Sequence, residues 1–298
     1  MSVRVNPNPA PDLLAAIASN RQAQNTALQQ ISTGQRVNQL SDDPAAAAQD
    51  VLDHVQGNQD DQFLQNISSL QSQAQSTDST LSSVVTAVTQ AISLGVEGAN
   101  ATLNNSDRQA VAEEVTGIRD QVLGLANQTF QGNYIFSGTA TSTQPFVLDA
   151  TQPDGVKYNG NTDVNSIQLS SGQKIPINVP GSQIFTNPAG DVLGALNGLI
   201  TALQTNTGLP AANASLDQAF SQLNTQRVFF GNALQQMQSS QTFLNSDKIQ
   251  LASTENSLVG ADMATSITNL EQASTATNAI LSATNQILST LNLLDYLK

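Results

Sequence analysis

A chain of 298 residues with a formal charge of −13, no Cys and no Trp has room for two or three compact units, and it excludes disulfide and thiolate chemistry. Ten basic residues scattered between Arg4 and Lys298 form no cluster of the kind that holds nucleic acid, and the negative charge is repelled by an anionic membrane surface. Only 11% of residues are charged and 4% aromatic, with Ala, Ser, Thr, Asn and Gln in their place, a composition unlike that of an ordinary soluble enzyme.

The first twelve residues carry Pro7, Pro9 and Pro11 and no apolar run, so no cleaved secretory signal is expected. No apolar stretch approaches the ~18 residues that read as a membrane span. A spacing of three and four residues then links Leu14, Ile17, Arg21, Gln24, Leu28 and Ile31, a helical seam weakened by polar members. Asp43 followed by Pro44 reads as a helix N-cap and first helical residue. No proline follows until residue 145, and an interior proline costs a helix about 3 kcal/mol, so a long helix fits here. Its seam is Leu64, Ile67, Gln71, Ala74, Asp78, Leu81, Val85, Val88 and Ile92, followed by a second seam of Val111, Val115, Ile118, Val122 and Leu125. Ser106-Asp107-Arg108-Gln109 fits a capping box, which makes residues 103–105 the turn of a helical hairpin.

Residues 130–185 change character. They hold Phe130, Tyr134, Phe136, Phe146, Tyr158 and Phe185, with turn signals at Pro153-Asp154-Gly155, Asn159-Gly160 and Ser171-Gly172. Short alternating runs, Ser166-Ile167-Gln168-Leu169 and Lys174-Ile175-Pro176-Ile177-Asn178-Val179, predict antiparallel strands. Beyond Pro210 a heptad seam returns: Leu216, Phe220, Leu223, Arg227, Phe230, Leu234, Met237, Gln241, Leu244, Lys248, Leu251, Glu255 and Leu258. At ~1.5 Å per residue that helix is on the order of 60 Å long. The C-terminal segment continues through Leu270, Ser274, Thr277, Leu281, Thr284, Leu288, Leu291 and Leu294, and from residue 256 to 294 its only charges are Asp262 and Glu271.

The expected fold is mainly α with a small β insert. A long antiparallel coiled-coil rod is formed by both the N- and C-terminal parts, and an antiparallel β domain is inserted in it. The expected divisions are terminal assembly helices at 1–43 and 260–298, a rod at 44–130 and 189–259, and the β domain at 131–188. Both terminal seams are too polar to bury much apolar area alone, so they are expected to order on contact with neighbouring copies rather than in the free monomer. Leu14, Ile17, Leu28, Ile31, Leu270, Leu281, Leu288, Leu291 and Leu294 are the candidate assembly residues.

No catalytic constellation accompanies this pattern. His54 is the lone histidine, close in sequence to Asp50 and Asp53. A metal or proton-relay reading is weaker than that of a solvated helix-surface histidine, since zinc would need carboxylates for its other ligands. Asp42-Asp43 reads as capping, Asp60-Asp61 as a polar helix face, and residues 154–163 as turns without the spacing of an EF-hand. No phosphate-binding loop or nucleophile elbow is present. Neither an enzyme nor a cofactor is expected. Two readings remain, a polymerising structural subunit and an extracellular binding module on a helical stalk; the second needs an anchor that the sequence does not display.

Several segments resemble the flagellin superfamily, and within it the hook-associated protein 3 branch, whose members join hook to filament. The N-terminal resemblance is Gln30-Ile31-Ser32-Thr33-Gly34-Gln35-Arg36-Val37-Asn38 with Ser41-Asp42-Asp43-Pro44; Pro44 favours that branch over flagellin proper, where Asp-Asp-Ala-Ala-Gly is usual. A second is Gly98-Ala99-Asn100 through Asp107-Arg108 to Ala112-Glu113-Glu114. A third is Leu125-Ala126-Asn127 with Gly132-Asn133-Tyr134-Ile135-Phe136-Ser137-Gly138-Thr139 and Pro145-Phe146. The last is Leu251-Ala252-Ser253-Thr254-Glu255, Ala261-Asp262-Met263 and the ending Leu293-Leu294-Asp295-Tyr296-Leu297. Ala91 stands where immune-recognised flagellins have arginine, so receptor recognition is not carried over. The resemblance implies export through the growing flagellum by the type III apparatus with an uncleaved signal, and a cytosolic export chaperone. It implies partners on both sides, hook-associated protein 1 toward the hook and flagellin toward the filament, besides copies of the chain itself.

Overall fold

The computed structural model describes residues 10–293 apart from 153 and 171. In chain order the helices are α1 (Ala10–Thr33), α2 (Pro44–Gly98), α3 (Asn105–Ala126), a single turn α4 (Gly181–Ile184), α5 (Val192–Thr205), α6 (Leu209–Val259) and α7 (Met263–Leu293). The strands, all between α3 and α5, are β1 (Thr129–Phe130), β2 (Asn133–Tyr134), β3 (Phe146–Leu148), β4 (Val156–Tyr158), β5 (Ser166–Ser170), β6 (Gln173–Pro176), β7 (Thr186–Asn187) and β8 (Gly190–Asp191). Two compact units result, one from the residues up to Gln59 with those from Ser246 onward, the other from Asp60–Asn245. The divisions expected near residues 43 and 260 thus fall instead inside α2 and α6. Both helices are continuous through these points.

In Asp60–Asn245 the predicted seams of α2 and α6 are verified residue by residue. Ile67, Ala74, Leu81 and Val88 of α2 and Leu216, Leu223, Phe230, Met237 and Leu244 of α6 are buried, and none of the other seam members within this unit is exposed. The polar interruptions meet one another. Arg227 donates from Nε and Nη2 to the two Asp78 carboxylate oxygens at 3.0 and 3.3 Å, and the Gln71 and Gln241 amides lie 3.5 Å apart. A polar pair at matching seam positions fixes the register of two helices that apolar residues alone would let slide. α3 and α5 pack together beside them. In α5 the run Val192, Leu193, Ala195, Leu196, Leu199, Ile200, Ala202 and Leu203 is buried nearly all round.

One cap differs from expectation. The N-cap of α3 is Asn104, whose side chain accepts from the Asp107 N–H at 2.9 Å; Ser106 is already helical. Arg108, 8% exposed, holds this turn by donating to the Leu103 carbonyl and the Asn105 side chain.

The insert is a set of four two-stranded antiparallel hairpins, not one sheet. Nor do its large residues form a core of their own. Phe136, Phe146 and Phe185 are fully buried, with Phe185 edge-on to both of the others, in the same cluster as the α2, α3, α5 and α6 side chains. Leu169 and Ile175 of β5 and β6 pack with Ile67, Leu70, Ala233 and Met237. The Asn127 side chain stitches the insert to the end of α3: its Nδ2 donates to the Phe146 carbonyl and its Oδ1 accepts the Phe146 N–H, both at 2.9 Å. Tyr134 closes a backbone hydrogen bond to Thr141. Gly138 has φ +71, and a Cβ there would collide with Asn161, so this turn requires glycine.

An 18-residue stretch of α2 is long and apolar enough to suit a membrane span, contrary to the expectation from apolar runs; 44% of it is buried inside the protein.

Candidate assembly surface

The unit formed by both chain ends is tied by the segment between α1 and α2. Gly34, at φ +72, turns the chain out of α1. Gln35 then makes an antiparallel bridge with Gly260; the Arg36 N–H donates to the Val259 carbonyl at 2.6 Å and the Ala261 N–H to the Gly34 carbonyl at 2.9 Å. The Arg36 guanidinium reaches both the Leu258 carbonyl, at 2.8 Å, and the Asp43 carboxylate, at 3.1 Å. Asp42 accepts the backbone N–H groups of Asn38 and Gln39, and Asn38 donates from its side chain to the Gln35 carbonyl. Asp43 caps α2 through the Ala46 N–H. That bond first, and Arg36 second, hold its carboxyl below the usual value of 3.8. Asp262 caps α7 and is likewise lowered, chiefly by the Thr265 hydroxyl. Ser32 and Pro44 are exposed at either end of this knot. The family-like segment around residues 30–44 is therefore a structural tie between the two ends of the chain.

α1 and α7 pack along each other, so both ends are paired helices, where the sequence pointed to helices awaiting neighbouring copies. Their shared seam is poor in large apolar groups. Ala27, Ala273 and Ser266 are its buried members. Gln24 donates to the Thr277 hydroxyl at 3.3 Å, and the Ser266 hydroxyl to Gln30 at 3.1 Å. Leu13, Ile17, Asn20, Ile31, Leu270, Ile280 and Thr284 are half-buried. The packed positions on α1 thus run Leu13, Ile17, Asn20, Gln24, Ala27, Ile31. Those on α7 run Ser266, Leu270, Ala273, Thr277, Ile280, Thr284.

Of the candidate assembly residues, Ile17, Ile31 and Leu270 belong to this intramolecular seam. Leu14, Leu28 and Leu281 do not: they are 66%, 51% and 49% exposed. Leu14, Arg21 and Leu28 each follow a seam residue by one position, and Ile267, Ser274 and Leu281 do the same on α7. In an antiparallel helix pair those two rows flank the same side of the seam. Leu14, Leu28, Ile267 and Leu281 thereby form one outward apolar flank. A groove of about 550 Å³ along the pair is lined by amides and small groups, among them Asn20, Gln22, Thr26, Asn269 and Gln272. The backbone of α7 includes Leu288 and Leu291; their side chains, and the whole of Leu294, lie outside the described residues. The residues missed by the sequence pattern, Ala27, Ser266 and Ala273, are small or polar and give no apolar signal. In the same unit His54 meets Asp50 and, from α6, Glu255.

Residues 6–141 match the bacterial flagellin N-terminal helical region and residues 214–297 the bacterial flagellin C-terminal helical region. The chain is 34% identical over 198 residues to flagellar hook-associated protein 3 of Escherichia coli, covering 66% of this chain and 59% of that protein. It is 36% identical over 160 residues to flagellar hook-associated protein 3 of Salmonella typhimurium, covering 53% and 49%. It thus spans about half to three fifths of the length of these curated relatives. Its fold is similar to that of a flagellar hook-associated protein of Vibrio parahaemolyticus, with a TM-score of 0.67 at 20% identity over 74% of this chain and 100% of that one. With both of its helical regions matched in order on either side of the hairpin insert, the chain belongs to the bacterial flagellin family.

Proposed function

We propose that this chain is a structural subunit of the bacterial flagellum that forms the junction between hook and filament, and that it assembles through its paired terminal helices. The observation that carries the reading is the outward flank of Leu14, Leu28, Ile267 and Leu281 on a helix pair whose buried seam members are only the small residues Ala27, Ser266 and Ala273 among those described. Surface leucines and isoleucines aligned on one side of a helix pair mark a protein contact, and Arg21 is the one charged residue in the two flanking rows. Similarity to two proteins named flagellar hook-associated protein 3 supports the junction over the filament itself. The partners are copies of the chain, hook-associated protein 1 on the hook side, flagellin on the filament side, and a cytosolic export chaperone. The subunit acts outside the cell after export without signal cleavage, as a building block and not a catalyst.

A second reading, a filament subunit, is favoured by the flagellin descriptions of both helical regions. Electron microscopy of flagella from a strain lacking this chain separates the two. A junction subunit leaves hooks without filaments while filament protein accumulates in the medium. A filament subunit leaves hooks without filaments and no filament protein outside. Normal filaments on intact hooks would contradict both.

A further inference from the structure

We propose that Asp50, His54 and Glu255 form a binding site for a first-row transition-metal dication of the zinc class, which clamps the beginning of α2 to the end of α6. Asp50 and His54 are four residues apart and so lie on one face of α2; Glu255 comes from α6. The His54 Nε2 atom is 3.7 Å from Asp50 Oδ2 and 3.6 Å from Glu255 Oε1, and one ligand atom from each residue lies within 4.8 Å of the other two. These separations are longer than a hydrogen bond, which ends near 3.2 Å. They lie at or slightly beyond the edge of a tetrahedron around zinc, whose bonds of about 2.0–2.2 Å set ligand atoms roughly 3.3–3.6 Å apart, so small side-chain adjustments close the site on a metal.

A second observation points to the same ligand. Asp50 Oδ1 is buried without a hydrogen-bond partner. A carboxylate with one desolvated, unpaired oxygen is costly, and a cation on the other oxygen, Oδ2, which faces His54, offsets the cost by neutralising the shared carboxylate charge. The side chains of Asp50 and Glu255 are 23% and 34% exposed while that of His54 is 59% exposed. A metal can therefore enter from solvent and keep water in its remaining positions. One imidazole with two carboxylates selects zinc, nickel or copper over magnesium and calcium, which prefer oxygen throughout. The consequence is structural. Among the described residues the buried cluster in this part of the unit is small, Val37, Ala46, Ala47 and Val259 with Leu258 packed against it, so a metal bridge between the two helices adds stability that binding confers on the folded state alone.

The test is calorimetric titration of the full, untagged chain with zinc chloride near neutral pH, with magnesium chloride as comparison, together with melting curves in zinc and in EDTA. One equivalent of zinc should bind, magnesium should not, and the melting temperature should climb with zinc concentration. His54→Ala and the near-isosteric Glu255→Gln should each weaken binding by about tenfold or more, with helical content unchanged by circular dichroism; Asp50→Asn is the substitute should either variant misfold. Absence of saturable binding up to about 1 mM zinc, or binding that both variants retain, overturns the proposal. So does a result in which His54→Ala lowers the melting temperature in EDTA but zinc has no effect on the parent, the signature of a direct contact between the histidine and the two carboxylates.

Discussion

Within Asp60–Asn245 most of the largest side chains are inside: Phe136, Phe146, Phe185, Leu81, Leu193 and Leu196 are fully buried, with Phe243 and Leu148 the largest of the exposed ones among the described residues. In the unit made from the two chain ends the order is reversed. Its described buried residues include Ala27, Ala46, Ala47, Ala273 and Ser266, while Leu14, Leu28, Leu40, Leu52, Ile249 and Leu281 are exposed. Fully burying one leucine or phenylalanine contributes about 1.5–3 kcal/mol. The first unit collects that contribution many times from its own sequence. The second withholds its largest apolar groups from the monomer, where they are free to be buried by another molecule. The same helical periodicity thus serves a self-sufficient core in one region and a surface awaiting a partner in the other.

The contrast breaks most readily in the core. Phe185→Ala should destabilise Asp60–Asn245 by about 3–5 kcal/mol in denaturant melts of the purified chain. Deleting residues 139–188 should be worse, because it removes Phe146, Phe185, Leu169 and Ile175 from clusters they share with α2, α3, α5 and α6. A separable β domain, as the sequence alone pointed to, would instead leave the helical circular dichroism and its melting intact.

A smaller effect is expected at the polar seam. Asp78 and Arg227 are about a third exposed, so Asp78→Ala should cost about 0.5–1 kcal/mol. Replacing both residues by leucine should recover that stability while loosening helix register, seen as broadened amide resonances along α2 and α6.

The units should also respond to pH with opposite sign. Burial, and then the neighbouring Asp154 carboxylate, push the Asp191 carboxyl from 3.8 up to about 6. The folded state of Asp60–Asn245 holds that proton more tightly than the unfolded chain, so the associated stability is present below about pH 4 and lost as pH rises through about 6. Asp191→Asn should flatten this decline and keep the α5 cap, since asparagine can still accept from the Gly194 N–H. Asp43 and Asp262, in the other unit, are lowered instead. Their contribution is present above the ordinary carboxylate value and lost as pH falls through their folded values. The protection of amides at the start of α2 and of α7, measured as exchange relative to the unfolded chain at the same pH, should therefore fall on acidification below about pH 4.

Much of this architecture was legible in the sequence. The α2 and α6 seams could be read because they are long, and because their polar members, Gln71, Asp78, Arg227 and Gln241, occupy the same heptad frame as the leucines. The cap at Asp43-Pro44 was legible from two adjacent residues. The α1–α7 seam was placed one residue off in part, since Leu14, Leu28 and Leu281 outweigh Ala27, Ser266 and Ala273 in any apolar pattern although the small residues are the ones that permit close approach. α5 carries apolar groups on nearly every side and so has no period to find. The shared core of insert and helices arises from pairings distant in sequence, such as Phe146 with Phe185, which local patterns do not contain.

The smallest effect on the monomer is the most informative one. Leu28→Asp places a carboxylate on a side chain that is 51% exposed, and it should change monomer stability by no more than about 0.5 kcal/mol. If that flank is buried in the flagellum, the same carboxylate is desolvated without a partner there and assembly fails. The direct measurement pairs the melting temperature of the purified variant with filament attachment in cells that express it as their sole copy. The prediction is a parental melting temperature with bare hooks. A variant that melts like the parent and still supports normal filaments would contradict the assembly role of the terminal helices.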